Sequence, residues 1–415
     1  MIADFHATST GTVWKHLLAL RDISRFDVEI AHVGTVARFN IDLKAYGIIV
    51  IHYSIVVAFG YQLGPRLRAG LAAARALKIV FIQDEYRWID ATAEAIRELG
   101  VTVLFTVVNP EIVDQVYHHP WMKNVRKEIT LTGFVDEAIL GLDLPTYESR
   151  KVDVAYRARK VPYWLGSFAM EKWSIGKKFR AQAERLGLCH DISNDESARI
   201  YGSKWIEFLS NSKAVLGTES GASICDFSGE VRTRVEAAVE AEPNIGFDRV
   251  REEILQDNDG RIVIHVISPR IFEAAALKTL MINYPGDYSG KLIPWRHYVP
   301  LAKDHSNIDE VAQVIRDPDK ANKIIDAAYR EVACNPDNSF RAMVAHFDTV
   351  VEQELPSAKV NSATPRDHRR GLEMTSWADF YTRRFVRATR KLTWKAAKSV
   401  LPARVVVSIE TRFAK

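Results

Sequence analysis

Short runs of Val, Ile, Leu and Phe alternate along this chain with segments whose apolar positions recur every three or four residues. The runs at 2–5, 28–32, 47–52, 78–83, 101–107 and 128–132 read as strands, and the periodic segments between them, such as 67–77 and 89–99, as amphipathic helices. A helix over 14–20 follows the first strand after the small, polar loop HATSTGT. Strands apolar on both faces and separated by helices predict a mostly parallel, doubly wound sheet, whose ligands sit beyond the carboxyl ends of the strands.

The pattern lapses over 133–150, which is short, turn-rich and without a clear period, and then restarts. KVDVAYRARK reads as a strand ending in Arg157, Arg159 and Lys160, with a helix over 172–186 and another over 200–209. A strand at 214–217 opens into TESGAS, an acid-rich insertion fills 222–260, and a strand at 261–266 leads into ISPRIFEAAALKTLMINY. The expected organisation is therefore α/β with two doubly wound, Rossmann-like domains, 1–140 and 151–345. A linker at 141–150 joins them, a return segment covers 346–373, and a tail runs over 374–415.

At 415 residues the chain is too long for one ordinary domain, and 47% hydrophobic with 26% charged residues is ordinary for a folded protein. Cys189, Cys225 and Cys334 are widely separated and fit neither a disulfide framework nor a metal-ligand spacing, which suggests a reducing compartment. Neither a signal peptide nor a run long enough to span a bilayer is visible, so a cytoplasmic setting is expected. The charge of +4 is uneven: 374–415 holds ten Lys/Arg against Asp379 and Glu410, while the remainder is slightly acidic.

The densest chemistry lies after the strand at 261–266. Ser268 stands at a helix N-cap and Pro269 at the first helical position, where its missing N–H costs nothing. A helix that starts sharply after a strand offers free N–H groups and partial positive charge, which is an anion site. Arg270 there is unfavourable unless an anion such as a diphosphate is bound, and Glu273, one turn deeper, suits a pair of ribose hydroxyls. A plain surface ion pair between Arg270 and Glu273 is the alternative.

Strand ends select further candidates. His6, His52, Asp84 and Glu85 fall at the ligand edge of the first sheet, and QDEYRW carries more charge and aromatic surface than helix capping needs. In the second half, Glu219 and Gly221 of TESGAS would admit a sugar or phosphate, or form only a glycine turn. Asp257 and Asp259 mimic a metal-binding carboxylate pair, but the Asp-Gly ending favours a turn, so no metal and no cofactor are assigned. The absence of GxGxxG leaves a dinucleotide unsupported.

SPRIFEAAALKTLMINY and HYVPLAKDHSNIDEV together resemble a helix, strand and following segment of the group-1 and spore-maturation-protein-like glycosyltransferase families, over about a tenth of the chain. The resemblance implies the GT-B architecture, in which two Rossmann-like domains face each other across a cleft. It makes Glu273 the donor's ribose ligand and Arg270 or Arg157 the basic group at the phosphates. The families' earlier glutamate, with seven residues between it and the helix one, falls on His265; Glu219 is the preferred counterpart, displaced by the insertion. Lys278 occupies a position where these families have glycine.

The resulting expectation is a metal-independent transferase that moves a sugar from a nucleotide-diphosphate sugar, a substrate and not a cofactor, to a glycan or lipid-linked acceptor in cell-surface polysaccharide synthesis. Arg157, Lys160, Ser268, Arg270, Glu273 and Gly221 would bind the donor, with Asp84, Glu85, His6 and Glu219 as catalytic candidates. An epimerase of the same fold and a non-catalytic nucleotide- or glycan-binding protein are the alternatives. No nucleic-acid partner is expected. Trp377, Phe380, Tyr381, Phe385, Ala388, Leu392 and Val400 give the tail one apolar stripe among basic residues, suited to an anionic membrane or to packing on the body.

Overall fold

The computed structural model describes residues 1–5, 11–39, 41–355 and 375–376. Six strands form the first sheet: β1 (Ile2–Ala3), β2 (Ala31–His32), β3 (Ile48–Ile51), β4 (Leu77–Phe81), β5 (Val103–Thr106) and β6 (Arg126–Ile129). Their order is β2-β1-β3-β4-β5-β6, and every pairing is parallel. Alternation along the strands sorts the core into two layers: Ile49, Ile51, Val80 and Leu104 face one side, Val50, Ile79, Phe81, Val103 and Phe105 the other.

The second sheet contains β7 (Val152–Arg157), β8 (His190–Ser193), β9 (Ser212–Gly217), β12 (Leu280–Asn283) and β13 (Val299–Pro300), ordered β13-β12-β9-β7-β8 and again parallel throughout. Between β9 and β12 the chain makes a separate antiparallel pair, β10 (Ser220–Ala222) with β11 (Ile264–Val266). TESGAS is thus the start of a strand, and Gly221 is required there: its φ is +127°, and a Cβ would overlap the Ile264 carbonyl.

Between β10 and β11, the helix Glu230–Ala241 packs with Ile245, Val250 and Leu255 against Trp164 and Leu165. The segment also touches the first domain, where Asp226 N–H donates to Tyr86 O (2.8 Å) and Asp90 N–H to Phe227 O (3.1 Å). Asp259 does not form a metal pair with exposed Asp257. It accepts from Ser167 N–H (3.1 Å) and the Ser167 and Ser223 hydroxyls, placing a carboxylate at the start of the helix Gly166–Ala183.

The chain finally crosses back. In the helix Phe340–Glu354, Met343, Val344, Phe347, Val350 and Val351 cover Phe81 and Phe105 of the first sheet, and Asp348 accepts from Ser24 Oγ (2.5 Å) and Arg25 N–H (2.8 Å). The expected division at 345/346 falls inside this helix. Of the tail, Thr375 and Ser376 are described; Ser376 is buried and its hydroxyl accepts from His32 N–H (3.3 Å). The stripe from Trp377 onward lies outside the described residues, as does His6. Among the described residues no helix is long and apolar enough to cross a membrane.

Candidate active site

A cleft cavity of about 610 Å³ lies between the carboxyl ends of the two sheets, with walls from both domains. On the second-domain side, Lys172 sits two turns into the helix Gly166–Ala183. It interrupts an otherwise buried stripe of Ala169, Gly176, Phe179 and Ala183. Its ammonium donates to Ser220 Oγ at 2.6 Å, and among the described residues no carboxylate lies within ion-pair distance. Burial, then the neighbouring Arg270 and Arg159, push its pKa down to about 8, although Asp84 opposes them. Lys172, Arg159 and Arg270 all line the cleft, so three cations converge where the helix Pro269–Ala276 begins.

Ser268 holds the cap position of that helix with extended backbone, φ −82° and ψ 141°, yet its hydroxyl does not cap it. Arg270 lies with Cζ 4.8 Å from the Trp205 ring centre and donates to the Arg157 carbonyl. Among the described residues Arg270 has no carboxylate within ion-pair distance, so the alternative of a surface ion pair with Glu273 is not formed. Glu273 instead accepts from Trp205 Nε1 (2.7 Å), and burial raises its pKa. Glu273 is not among the residues that line the cleft.

Two of the expected phosphate ligands are otherwise occupied. Arg157 donates through Nε to Ala198 O (3.1 Å), through Nη1 to Tyr156 O (2.9 Å) and Asp191 O (2.7 Å), and through Nη2 to the Asp191 carboxylate (2.7 Å). Four of its five donors are thus committed to tying β7 to β8 and the loop beyond. Lys160 does not line the cleft; its ammonium lies 4.4 Å from the Tyr163 ring centre. Arg157 and Arg159 of this strand end both line the cleft.

The two candidates for the families' earlier glutamate meet. His265 and Glu219 stand beside each other on the β10–β11 pair, with Nδ1 3.4 Å from Oε1, and this partner raises the His265 pKa. Glu219 lines the cleft and also accepts from Tyr288 N–H (2.8 Å). Asn109 of the first domain grips the His265 backbone, accepting from its N–H (3.1 Å) and donating to its carbonyl (2.9 Å).

Across the cleft, QDEYRW separates its two acids. Glu85 is buried and accepts from Thr106 Oγ1 (2.6 Å), Val107 N–H (2.9 Å) and Tyr117 OH; burial lifts its pKa to about 7 against those bonds. Asp84 points outward, its side chain 57% exposed, and accepts from Tyr86 OH (2.7 Å) and Arg87 (3.3 Å). The loop is strained: Asp84 and Trp88 both take left-handed backbone, φ 59° and 52°. His52 is a core residue, bonded to Ser54 Oγ (2.9 Å) and His16 (3.1 Å), and burial keeps it neutral.

Among the described residues, Asp90, His118 and His119, and separately Glu219, His265 and Asp287, bring three possible metal-ligand atoms within 4.8 Å of one another. In the second group the Glu219 partner favours protonated His265, which competes with metal binding.

No protein-family model and no curated protein matches the chain. Its architecture matches solved glycosyltransferases. An alpha-glucosyltransferase in complex with UDP aligns at 9% identity and TM-score 0.50, covering 85% of this chain and 99% of that one. The T4 phage BGT in complex with its UDP-glucose substrate aligns at 11% and 0.47, over 86% and 98%. TarM aligns at 12% and 0.40, over 77% and 57%. The fold is GT-B: two Rossmann-like domains facing across a cleft.

Proposed function

We propose that the chain transfers a sugar from a nucleoside diphosphate sugar, bound by the second domain, to an acceptor approaching Asp84 from the first. The observation that carries this reading is the convergence of Lys172, Arg159 and Arg270 on one helix start inside a GT-B cleft. Arg159 and Arg270 are solvent-exposed, whereas the partly buried Lys172, with no carboxylate within ion-pair distance among the described residues, carries a charge that a multiply charged anion bound there would stabilise. A departing diphosphate is such an anion, and its charge grows as the glycosidic bond breaks, so the same groups favour the transition state over the ground state. Asp84, partly exposed and on a strained loop, is the group suited to take the acceptor's proton if the anomeric centre inverts. Glu85, saturated by three donors, holds that loop in place. Glu219, steadied by His265, faces the sugar.

The test is calorimetry with nucleoside diphosphates, UDP first, followed by product analysis with sugar nucleotides and acceptors. Binding with transfer supports the reading. An altered sugar nucleotide without transfer favours an epimerase, binding without turnover a scaffold, and no nucleotide binding overturns the proposal.

For the acceptor, the proposal extends to a glycan or lipid-linked chain of a cell-surface polysaccharide, reached from the inner face of the membrane. Its support is the basic, amphipathic sequence of the tail. Co-sedimentation with anionic vesicles, comparing the full chain with one ending near Arg370, tests it: equal behaviour of the two removes the tail as anchor. Duplex DNA belongs in the acceptor panel, and transfer to it would replace the glycan reading.

A further inference from the structure

Behind the cleft, a chamber of about 20 Å³ shares Lys172 and Arg270 with it. That volume takes one water or one oxygen atom of a ligand. Ser268 and Thr218 also line it, and so does Asn283, at the carboxyl end of β12. Asn283 is completely buried, yet among the described residues neither Oδ1 nor Nδ2 has a hydrogen-bond partner. Native interiors rarely leave a primary amide in that condition, because each lost bond to water has to be replaced. The neighbouring backbone is shaped around the amide: a methyl group on Gly217 would overlap Asn283 Oδ1.

The walls are not neutral. Lys172 brings positive charge, Ser268 has a hydroxyl that does not cap its helix, and the chamber adjoins the N-terminal, partially positive end of Pro269–Ala276. An amide whose Nδ2 donates into such a chamber suits an anionic oxygen. We propose that Asn283 is a specificity-determining residue of the donor site, its Nδ2–H donating to one non-bridging oxygen of the sugar-bearing phosphate when that oxygen enters the chamber. This inference rests on the nucleoside diphosphate reading above. It adds that the protein distinguishes a diphosphate from a monophosphate partly through a side chain that the open cleft does not display.

The experiment compares UDP with UMP by calorimetry on the full chain and on Asn283→Leu and Asn283→Asp, with melting temperature as a check on folding. Leucine keeps the volume without the donor, and aspartate keeps the shape but repels an anion. The expected result is at least a tenfold loss of UDP affinity in both variants, larger for aspartate, with UMP affinity changed less than threefold. Wild-type UDP affinity in either folded variant overturns the proposal and leaves the chamber to a water, as does an equal loss of UDP and UMP. If the parent chain binds neither nucleotide, the functional reading itself fails, and that result is separate from the variants.

Discussion

Replacing Lys172 with methionine should make the protein more stable and less able to bind its donor. The ammonium is held in a partly buried position with one hydroxyl as its hydrogen-bond partner among the described residues, and its pKa falls from 10.5 to about 8. At about 1.4 kcal/mol per pKa unit, keeping it charged at neutral pH costs the folded state roughly 3 kcal/mol. Methionine removes that cost, retains most of the volume, and gives up one charged hydrogen bond of about 1.5 kcal/mol, leaving a net gain of about 1–2 kcal/mol. The sign follows from proton counts. Between about pH 8 and 10.5 the unfolded chain binds more protons at this site than the folded one, so parental stability rises with pH and the advantage of the variant disappears. Urea unfolding at pH 7 and pH 10 reads this directly, and calorimetry with UDP should show a loss of about 2–4 kcal/mol when one partner of a buried charge pair is removed. A variant less stable at pH 7, or one that binds UDP like the parent, would refute the assignment of Lys172 as an unneutralised cation awaiting an anion.

Glu273→Ala should weaken UDP binding by about 1–3 kcal/mol, whereas Glu273→Gln, which retains an acceptor for Trp205 Nε1, separates a ribose contact from simple support of the indole. Asp84→Asn should reduce kcat by about two orders of magnitude with little change in donor affinity if the reaction inverts; equal rates would remove Asp84 as base. Because burial raises Glu85 above its usual range to about 7, its contribution to stability is present below pH 4.5 and is lost as pH rises through 7, about 3 kcal/mol in all; Glu85→Gln should flatten that part of a pH–stability profile. Lys278 takes the left-handed conformation, φ 50°, that glycine adopts without strain, so Lys278→Gly should raise the urea midpoint by an amount equivalent to about 0.5–1 kcal/mol despite losing the contact with the Tyr329 ring.

The two sheets were legible chiefly through central strands such as β3, β4, β5 and β12, which are largely buried and apolar, whereas β6 is RKEI. β8, HDIS, was not legible, since its burial comes from neighbours and not from its own composition. The helix start at Ser268–Arg270 followed from local chemistry alone. Arg157 and Lys160 illustrate the opposite case: three basic residues at one strand end look equivalent in sequence, yet Arg157 lines the cleft with its guanidinium tied to Asp191, Lys160 turns to Tyr163, and Arg159 lines the cleft with no ion pair among the described residues. Lys172 could have been found, because a lysine on the buried stripe of an amphipathic helix is a polarity conflict visible in the periodicity. Asn283 could not, as an asparagine ending a strand is ordinary until its lack of partners is seen.

The return of the helix Phe340–Glu354 to the first sheet also sets a schedule for synthesis. β6 ends at Ile129, yet the apolar face formed by Phe81, Phe105 and their neighbours receives its cover from residues made after the whole second domain. At typical elongation rates that interval is roughly 10–45 s. Throughout it the nascent first domain has only the helix Gly11–Ile23, through Ala19 and Leu20, on that face, so chaperone dependence during translation, and aggregation of products released before residue 340, are expected from the order in which the chain is written.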